Sequence, residues 1–173
     1  MATHSLLQRV ELTERALFVR CVDHTTARRF TRVVWTLLTH LGGTIASITA
    51  ATLPLLLADG ALADAARHAL ATLVVSHLFV QVVKRSINRR RPSLREATES
   101  LVVEPDRFSF PSGHSAAAMA VCFAYAMAFP ALAVPLMLLA VAVGASRIFL
   151  GVHYPGDVVA GQMIAIVTAL ALA

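Results

Sequence analysis

Ser146-Arg147-Ile148-Phe149-Leu150-Gly151-Val152-His153-Tyr154-Pro155-Gly156-Asp157 interrupts an otherwise apolar C-terminal half of the chain. No Asp, Glu, Lys or Arg lies between His114 and Arg147, and none follows Asp157. An arginine, a histidine and an aspartate at the edge of membrane-type sequence each cost roughly 2.5–3.5 kcal/mol if exposed to lipid on insertion scales, so the stretch must supply partners for all three. Pro155 suits the first turn of a helix, where its missing N–H is no loss, which places His153 just before that helix and Asp157 within its first turn. From there the carboxylate is able to reach one imidazole nitrogen, fix the tautomer and leave the other nitrogen free to attack an electrophile. The alternative is an interfacial anchor, with Arg147 snorkelling, Tyr154 in an aromatic belt and Asp157 capping the helix.

Working outward, the 173 residues fit one domain, and a composition 57% hydrophobic and 14% charged departs from that of a soluble globule. Mean hydropathy is +0.70. The net charge of +5 comes from arginines in blocks between apolar runs. Aromatic residues do not interleave with them as a nucleic-acid surface requires, so no nucleic acid is expected and anionic membrane lipids are. Cys21 and Cys122 lie too far apart in sequence to suggest a disulfide framework or a zinc site. The N-terminal stretch has no cleavable signal pattern.

Residues 1–32 read as an amphipathic interfacial segment, with Leu6, Val10 and Leu17 near one helical face and Gln8, Glu11 and Arg15 elsewhere, followed by the basic stretch Arg28-Arg29-Phe30-Thr31-Arg32. Residues 33–173 read as the transmembrane domain. Val33 to Ala58 is uncharged and long enough to span roughly 30 Å of hydrocarbon. Further spans are expected from about Ala61 to Lys84, Ser112 to Phe129, the Pro130–Pro135 turn to Leu150, and Pro155 to Ala173. His40 and His77, inside the first two spans, read as interior histidines satisfied by packing. The fold class is thus all-α, a polytopic membrane bundle of about five transmembrane helices with an N-terminal interfacial helix. Five spans bring the N-terminal lead, the Lys84–Phe110 connection and the Arg147–Asp157 stretch to one face.

On that face Lys84 ends a helix, while Arg91 is held in extended backbone by Pro92. Pro111-Ser112-Gly113-His114 opens another helix, where free N–H groups and the dipole favour an anion and Gly113 permits close approach. Ser112 adds a hydroxyl, and Arg147 adds a planar fork suited to phosphate oxygens.

Lys84, six residues, then Arg91-Pro92; Pro111-Ser112-Gly113-His114; and Ser146-Arg147, five residues, His153, three residues, Asp157 together resemble the three signature motifs of the type 2 phosphatidic acid phosphatase (PAP2) family, in order and with every motif position filled. The likeness covers roughly residues 61–173. It implies the helical core shared with vanadium-dependent haloperoxidases and a membrane lipid phosphatase acting through a phosphohistidine. The resemblance makes His153 the nucleophile, Asp157 its orienter and His114 the general acid and then base. Lys84, Arg91, Ser112, Gly113 and Arg147 would hold the phosphoryl oxygens. Neither metal nor cofactor is implied. Arg85, Arg89 and Arg90 fall outside the motif positions and read as headgroup or surface contacts.

The expected substrate is a lipid phosphate monoester or diphosphate such as phosphatidate, phosphatidylglycerol phosphate, a polyprenyl (di)phosphate, a polyprenyl phosphosugar phosphate or a lipid A phosphate. A phosphotransferase using the same intermediate, and a non-catalytic protein that binds or flips lipid phosphates, are the alternatives. No protein partner is expected. The expected location is the bacterial cytoplasmic (inner) membrane. Six arginines precede Val33, against Asp59, Asp64 and Arg67 on the opposite face, which by the positive-inside rule puts the site on the cytoplasmic side.

Overall fold

A computed structural model describes the backbone of residues 2–26, 29–92, 101–102 and 107–173, and within the first helix the side chains of residues 9 and 11–22. The expectations for Leu6, Gln8, Val10 and Arg28 fall outside these. Seven helices make up the described chain: α1 (Ala2–Thr26), α2 (Arg29–Leu41), α3 (Thr44–Leu57), α4 (Ala61–Ile87), α5 (Gly113–Ala128), α6 (Ala133–Phe149) and α7 (Pro155–Ala171). The only extended pairing among the described residues is a bridge between Arg90 and Phe108.

Helix α5 runs through the middle of the bundle. It is apolar on every side, and its alanines let neighbouring backbones approach closely, which is how membrane helices gain packing without a hydrophobic driving force. Met119, Ala120, Cys122 and Ala124 meet Ala51 of α3, Ala69 and Leu73 of α4, Ala140 of α6 and Ala165 of α7. Large apolar side chains such as Leu57, Phe79, Leu138 and Val167 point outward instead. A water-soluble fold would bury them.

By length and composition, α4 and the stretch Pro130–Phe149 are each able to cross a membrane, and α2 with α3 qualify as one span bent by 46°. The chain is accordingly an integral membrane protein. Helices α5 and α7 are apolar but shorter, at 16 and 17 residues. Among the described residues there are thus two to three spans of full length where about five were expected.

The bend between α2 and α3 falls at Gly42-Gly43, which the composition of Val33–Ala58 does not reveal. A Cβ on Gly42 would lie 2.5 Å from Val143 Cγ1 and 2.9 Å from the His114 carbonyl, so only glycine lets this elbow press onto the start of α5. Helix α4 continues past Lys84 to Ile87 and stops at Asn88, whose left-handed backbone (φ 51°) asparagine tolerates better than most residues. The Pro130–Pro135 turn shortens to a 3₁₀ turn over Pro130–Leu132, and Pro135 sits inside the first turn of α6.

Helix α1 packs on the protein through Phe18 and Val22, which are buried against Tyr154 and Ile148. Leu17, expected on the apolar face of an interfacial helix, is exposed together with Leu12 and Val19. The stripe turned toward the protein is Glu14–Phe18–Val22, at the i, i+4 spacing of one helical face. His40 and His77 are both exposed rather than interior. His77 shares a hydrogen bond with Gln81 (3.1 Å) and borders a cavity.

Candidate active site

A cavity of about 640 Å³ opens between α3, α4 and α5. Lys84, Arg91, Gly113, His114 and His153 wall one end, and the rest is mostly apolar, with Ile48, Leu70, Leu73, Val74 and Leu78 beside the polar Ser47, His77 and Gln81. Five of the eight expected site residues therefore meet on one surface, although they come from four stretches of chain. Ser112, Arg147 and Asp157 are fully or almost fully buried and do not line it.

His153 sits in a sharp reversal. Helix α6 ends at Phe149, Gly151 takes a left-handed turn (φ 79°), and the N–H groups of Val152 and His153 both donate to the Arg147 carbonyl. Arg91 Nη1 lies 3.2 Å from His153 Nε2 and also donates to the Val152 carbonyl at 3.0 Å. A guanidinium only donates, so Nε2 accepts and the proton of the neutral ring is on Nδ1. Nδ1 faces Asp157 Oδ2 at 3.6 Å, longer than a hydrogen bond but close enough for a strong electrostatic pairing. Burial pushes the His153 pKa down to about 4, and the nearby Arg91 and Arg147 add to that, while Asp157 opposes them. The imidazole is thus neutral near pH 7, its Nε2 lone pair accepting from Arg91, which lines the cavity with it.

Asp157 is the hub behind the ring. One oxygen accepts from Arg89 Nη1 (2.7 Å), and the other accepts from Ser109 Oγ and from the Tyr154 N–H (2.9 Å). The last contact is an acidic residue in the first helical turn reaching back to the residue before the helix. Its own backbone carbonyl accepts from the Ser112 N–H at 2.9 Å, which ties the start of α5 to the start of α7. Gly161, one turn further along α7, touches the same place, since a Cβ there would collide with the Ser112 carbonyl oxygen.

Ser112 caps α5. Its hydroxyl oxygen accepts from the Ser115 hydroxyl (2.9 Å) and is 3.5 Å from the Ser115 N–H. Around Gly113 a Cβ would meet nothing within 4 Å, so the first amide of α5 borders open space. Lys84 reaches the Phe108 carbonyl at 3.4 Å. Arg147 Nη1 donates to Thr39 Oγ1 on α2, and Trp35, one turn before Thr39, stacks on Phe149 at 4.4 Å between ring centres.

Sequence reasoning missed four residues here: Arg89, Ser109, Thr39 and Glu14. Arg89, read as a headgroup or surface contact, instead bonds Asp157 and Glu14 (2.8 Å) and lies 4.5 Å from the centre of the Tyr154 ring. Burial works against its charge, but the two carboxylates outweigh it and hold its pKa above the ordinary value. Arg85 and Arg90 are exposed, as expected of surface contacts. Ser109 carried one weak signal, its place two residues before Pro111. Glu14 and Thr39 carried none.

Comparison with known proteins follows the same geometry. The model of the PAP2 superfamily matches residues 65–173. The chain is 38% identical over 95 residues to the lipid A 1-phosphatase of Rhizobium johnstonii, covering 52% of this chain and 39% of that protein. It is 40% identical over 115 residues to the decaprenylphosphoryl-5-phosphoribose phosphatase of Mycolicibacterium smegmatis, covering 61% of this chain and 60% of that protein. The chain therefore spans less than two thirds of the length of either relative. Among solved structures, the transmembrane PAP2 type phosphatidylglycerolphosphate phosphatase of Bacillus subtilis superposes with a TM-score of 0.75 at 24% identity, covering 95% of this chain and 84% of that one, a likeness of fold. With the family matched over most of the chain and the fold shared along nearly all of it, this protein belongs to the PAP2 superfamily.

Proposed function

We propose that this chain hydrolyses the phosphate monoester or diphosphate of a membrane lipid through a phosphohistidine intermediate. One observation carries the reading: the cavity has a cationic, histidine-bearing end and a mostly apolar remainder between membrane helices. A phosphate fits the first and a hydrocarbon chain the second. Relatives named as lipid A 1-phosphatase and decaprenylphosphoryl-5-phosphoribose phosphatase support the same class.

In this reading His153 Nε2 attacks phosphorus while His114 gives its proton to the leaving lipid oxygen. His114 then takes a proton from water, the water oxygen attacks the phosphohistidine, and the N–P bond breaks to release inorganic phosphate. Lys84, Arg91, Arg147 and the Ser112–Gly113 start of α5 neutralise the phosphoryl oxygens as charge shifts among them. Asp157 keeps the Nδ1 proton in place and balances the positive ring of the intermediate.

Purified protein in detergent, with a chelator present, should release phosphate from at least one member of a panel of phosphatidate, phosphatidylglycerol phosphate, polyprenyl phosphates and lipid A. His153→Ala should release none while still binding phosphatidate-containing vesicles. Equal turnover by the variant would sink the mechanism, and no release from any lipid would favour a binding or flipping role.

The same reading takes the bent α2–α3 pair, α4, α5, the Pro130–Phe149 stretch and α7 as five crossings, the shorter helices being extended by the loops at their ends. The exposed Leu12, Leu17 and Val19 rest α1 on the bilayer surface, and the arginine-rich site face lies in the cytoplasm of a bacterial inner membrane. A Thr13→Cys chain in intact cells should resist an impermeant maleimide. Labelling from outside would reverse the orientation.

A further inference from the structure

Glu14 lies on α1, outside the family-matched residues 65–173, yet it touches two supports of Asp157. Its Oε2 accepts from Arg89 Nη2 at 2.8 Å, while Arg89 Nη1 holds Asp157 Oδ1 at 2.7 Å. Its Oε1 accepts from the Gly156 N–H at 2.5 Å, one of the first-turn donors of α7 that has no partner within the helix. A carboxylate there also complements the positive end of the helix dipole. Four residues along α1, Phe18 is fully buried against Tyr154, with ring centres 5.2 Å apart, and Val22 extends the contact by another turn. Arg89 also lies over the Tyr154 ring, 4.5 Å from its centre. A long side chain on a helix that merely rested on lipid would have no reason to converge on these groups.

The Glu14 side chain is 14% exposed and that of Arg89 is 23% exposed, so the pair is removed from most of the screening that makes surface ion pairs weak. Arg89 bridges two carboxylates. With Glu14 present, the guanidinium charge is shared and Asp157 keeps more of its negative field for His153. Without Glu14, Arg89 has Asp157 as its one acidic partner among the described residues, and the first turn of α7 loses an anchor.

We propose that Glu14 is a positioning residue of the phosphoryl-transfer site, acting through Arg89 and the Gly156 amide on Asp157 and through Asp157 on His153. The proposal rests on the reading of His153 and Asp157 as catalytic. It makes the N-terminal helix part of the working site, so that the family-matched region alone is an incomplete catalytic unit.

Three variants separate the two arms. Glu14→Ala removes both, Glu14→Gln keeps an acceptor for Gly156 but removes the charge facing Arg89, and Arg89→Met removes the bridge. Glu14→Ala should lower kcat at least tenfold with KM within twofold, because the substrate contacts are left in place. Glu14→Gln should lower kcat in the wild-type background and have no further effect beside Arg89→Met, the non-additivity expected of residues acting in series. Hydrogen exchange at the Gly156 amide should speed up in Glu14→Ala and not in Glu14→Gln.

Unchanged kcat in Glu14→Ala, or losses from Glu14→Gln and Arg89→Met that multiply, would overturn the proposal. Unchanged Gly156 exchange in Glu14→Ala would overturn it without any reference to turnover. Wild type and His153→Ala run alongside: turnover that survives His153→Ala defeats the phosphohistidine reading itself, and is distinguished in that way from a failure of Glu14.

Discussion

Replacing Asp157 with asparagine changes charge at almost constant size, so it measures what the carboxylate field contributes. Four donors converge on Asp157: Arg89, Ser109, the Tyr154 N–H and, more loosely, His153 Nδ1. An asparagine has one acceptor oxygen. Turned toward Ser109 and Tyr154, it presents its NH₂ to Arg89 and gives up one charge-assisted bond. Turned the other way, it sets NH₂ against Ser109, Tyr154 and His153 at once. The first orientation is favoured, and its destabilisation is about 1.5–3 kcal/mol, the range for a hydrogen bond to a charged group.

The effect on turnover is larger. In the proposed mechanism Nε2 bonds to phosphorus with Nδ1 still protonated, so the ring becomes positive 3.6 Å from Asp157, and unit charges at that separation interact by roughly 5 kcal/mol at an effective dielectric constant of about 20. If the transition state develops between half and all of that charge, kcat falls roughly 50- to 5,000-fold. The assay is phosphate release in detergent with thermal unfolding measured on the same preparation. A loss below about tenfold from a variant that still melts cooperatively would refute the coupling of Asp157 to His153.

Two further outcomes follow from the same contacts. Gly161→Ala drives a methyl group into the Ser112 carbonyl, which as backbone has little freedom to move, so stability should fall by about 1–3 kcal/mol and KM should rise as the start of α5 shifts. An unchanged melting temperature with unchanged KM would show that the two helices are not locked there. With its pKa pushed down to about 4, His153 is neutral above that value and protonated below it, so kcat/KM should hold to about pH 5 and fall at lower pH. An acid limb near pH 6.5, the range of an ordinary histidine, would contradict the burial of the nucleophile.

Much of the site was legible because local chemistry encodes it. Pro155 places His153 outside α7 and Asp157 within it; Pro92 holds Arg91 outside any helix; Ser112 caps α5. Charged residues so isolated in apolar sequence have few roles open to them, and their spacing carries the family resemblance. Some helix starts were equally legible, as at Ala61, Gly113 and Pro155, whereas the end of α4 and the break at Gly42-Gly43 were not.

Only the tertiary structure decided which side chains support those residues. Arg89, Arg90 and Arg91 are consecutive and chemically identical, yet Arg91 is buried beside His153, Arg89 bridges two carboxylates and Arg90 is exposed. Glu14 is 75 residues from Arg89 and Thr39 is 108 from Arg147. The bend at Gly42-Gly43 and the depth to which Gly161 approaches Ser112 likewise depend on which helices meet. Capping, backbone restriction and the cost of charge in hydrocarbon act over a few residues and so can be read along the chain. Contacts between distant helices depend on how whole faces pack, and no local pattern specifies them.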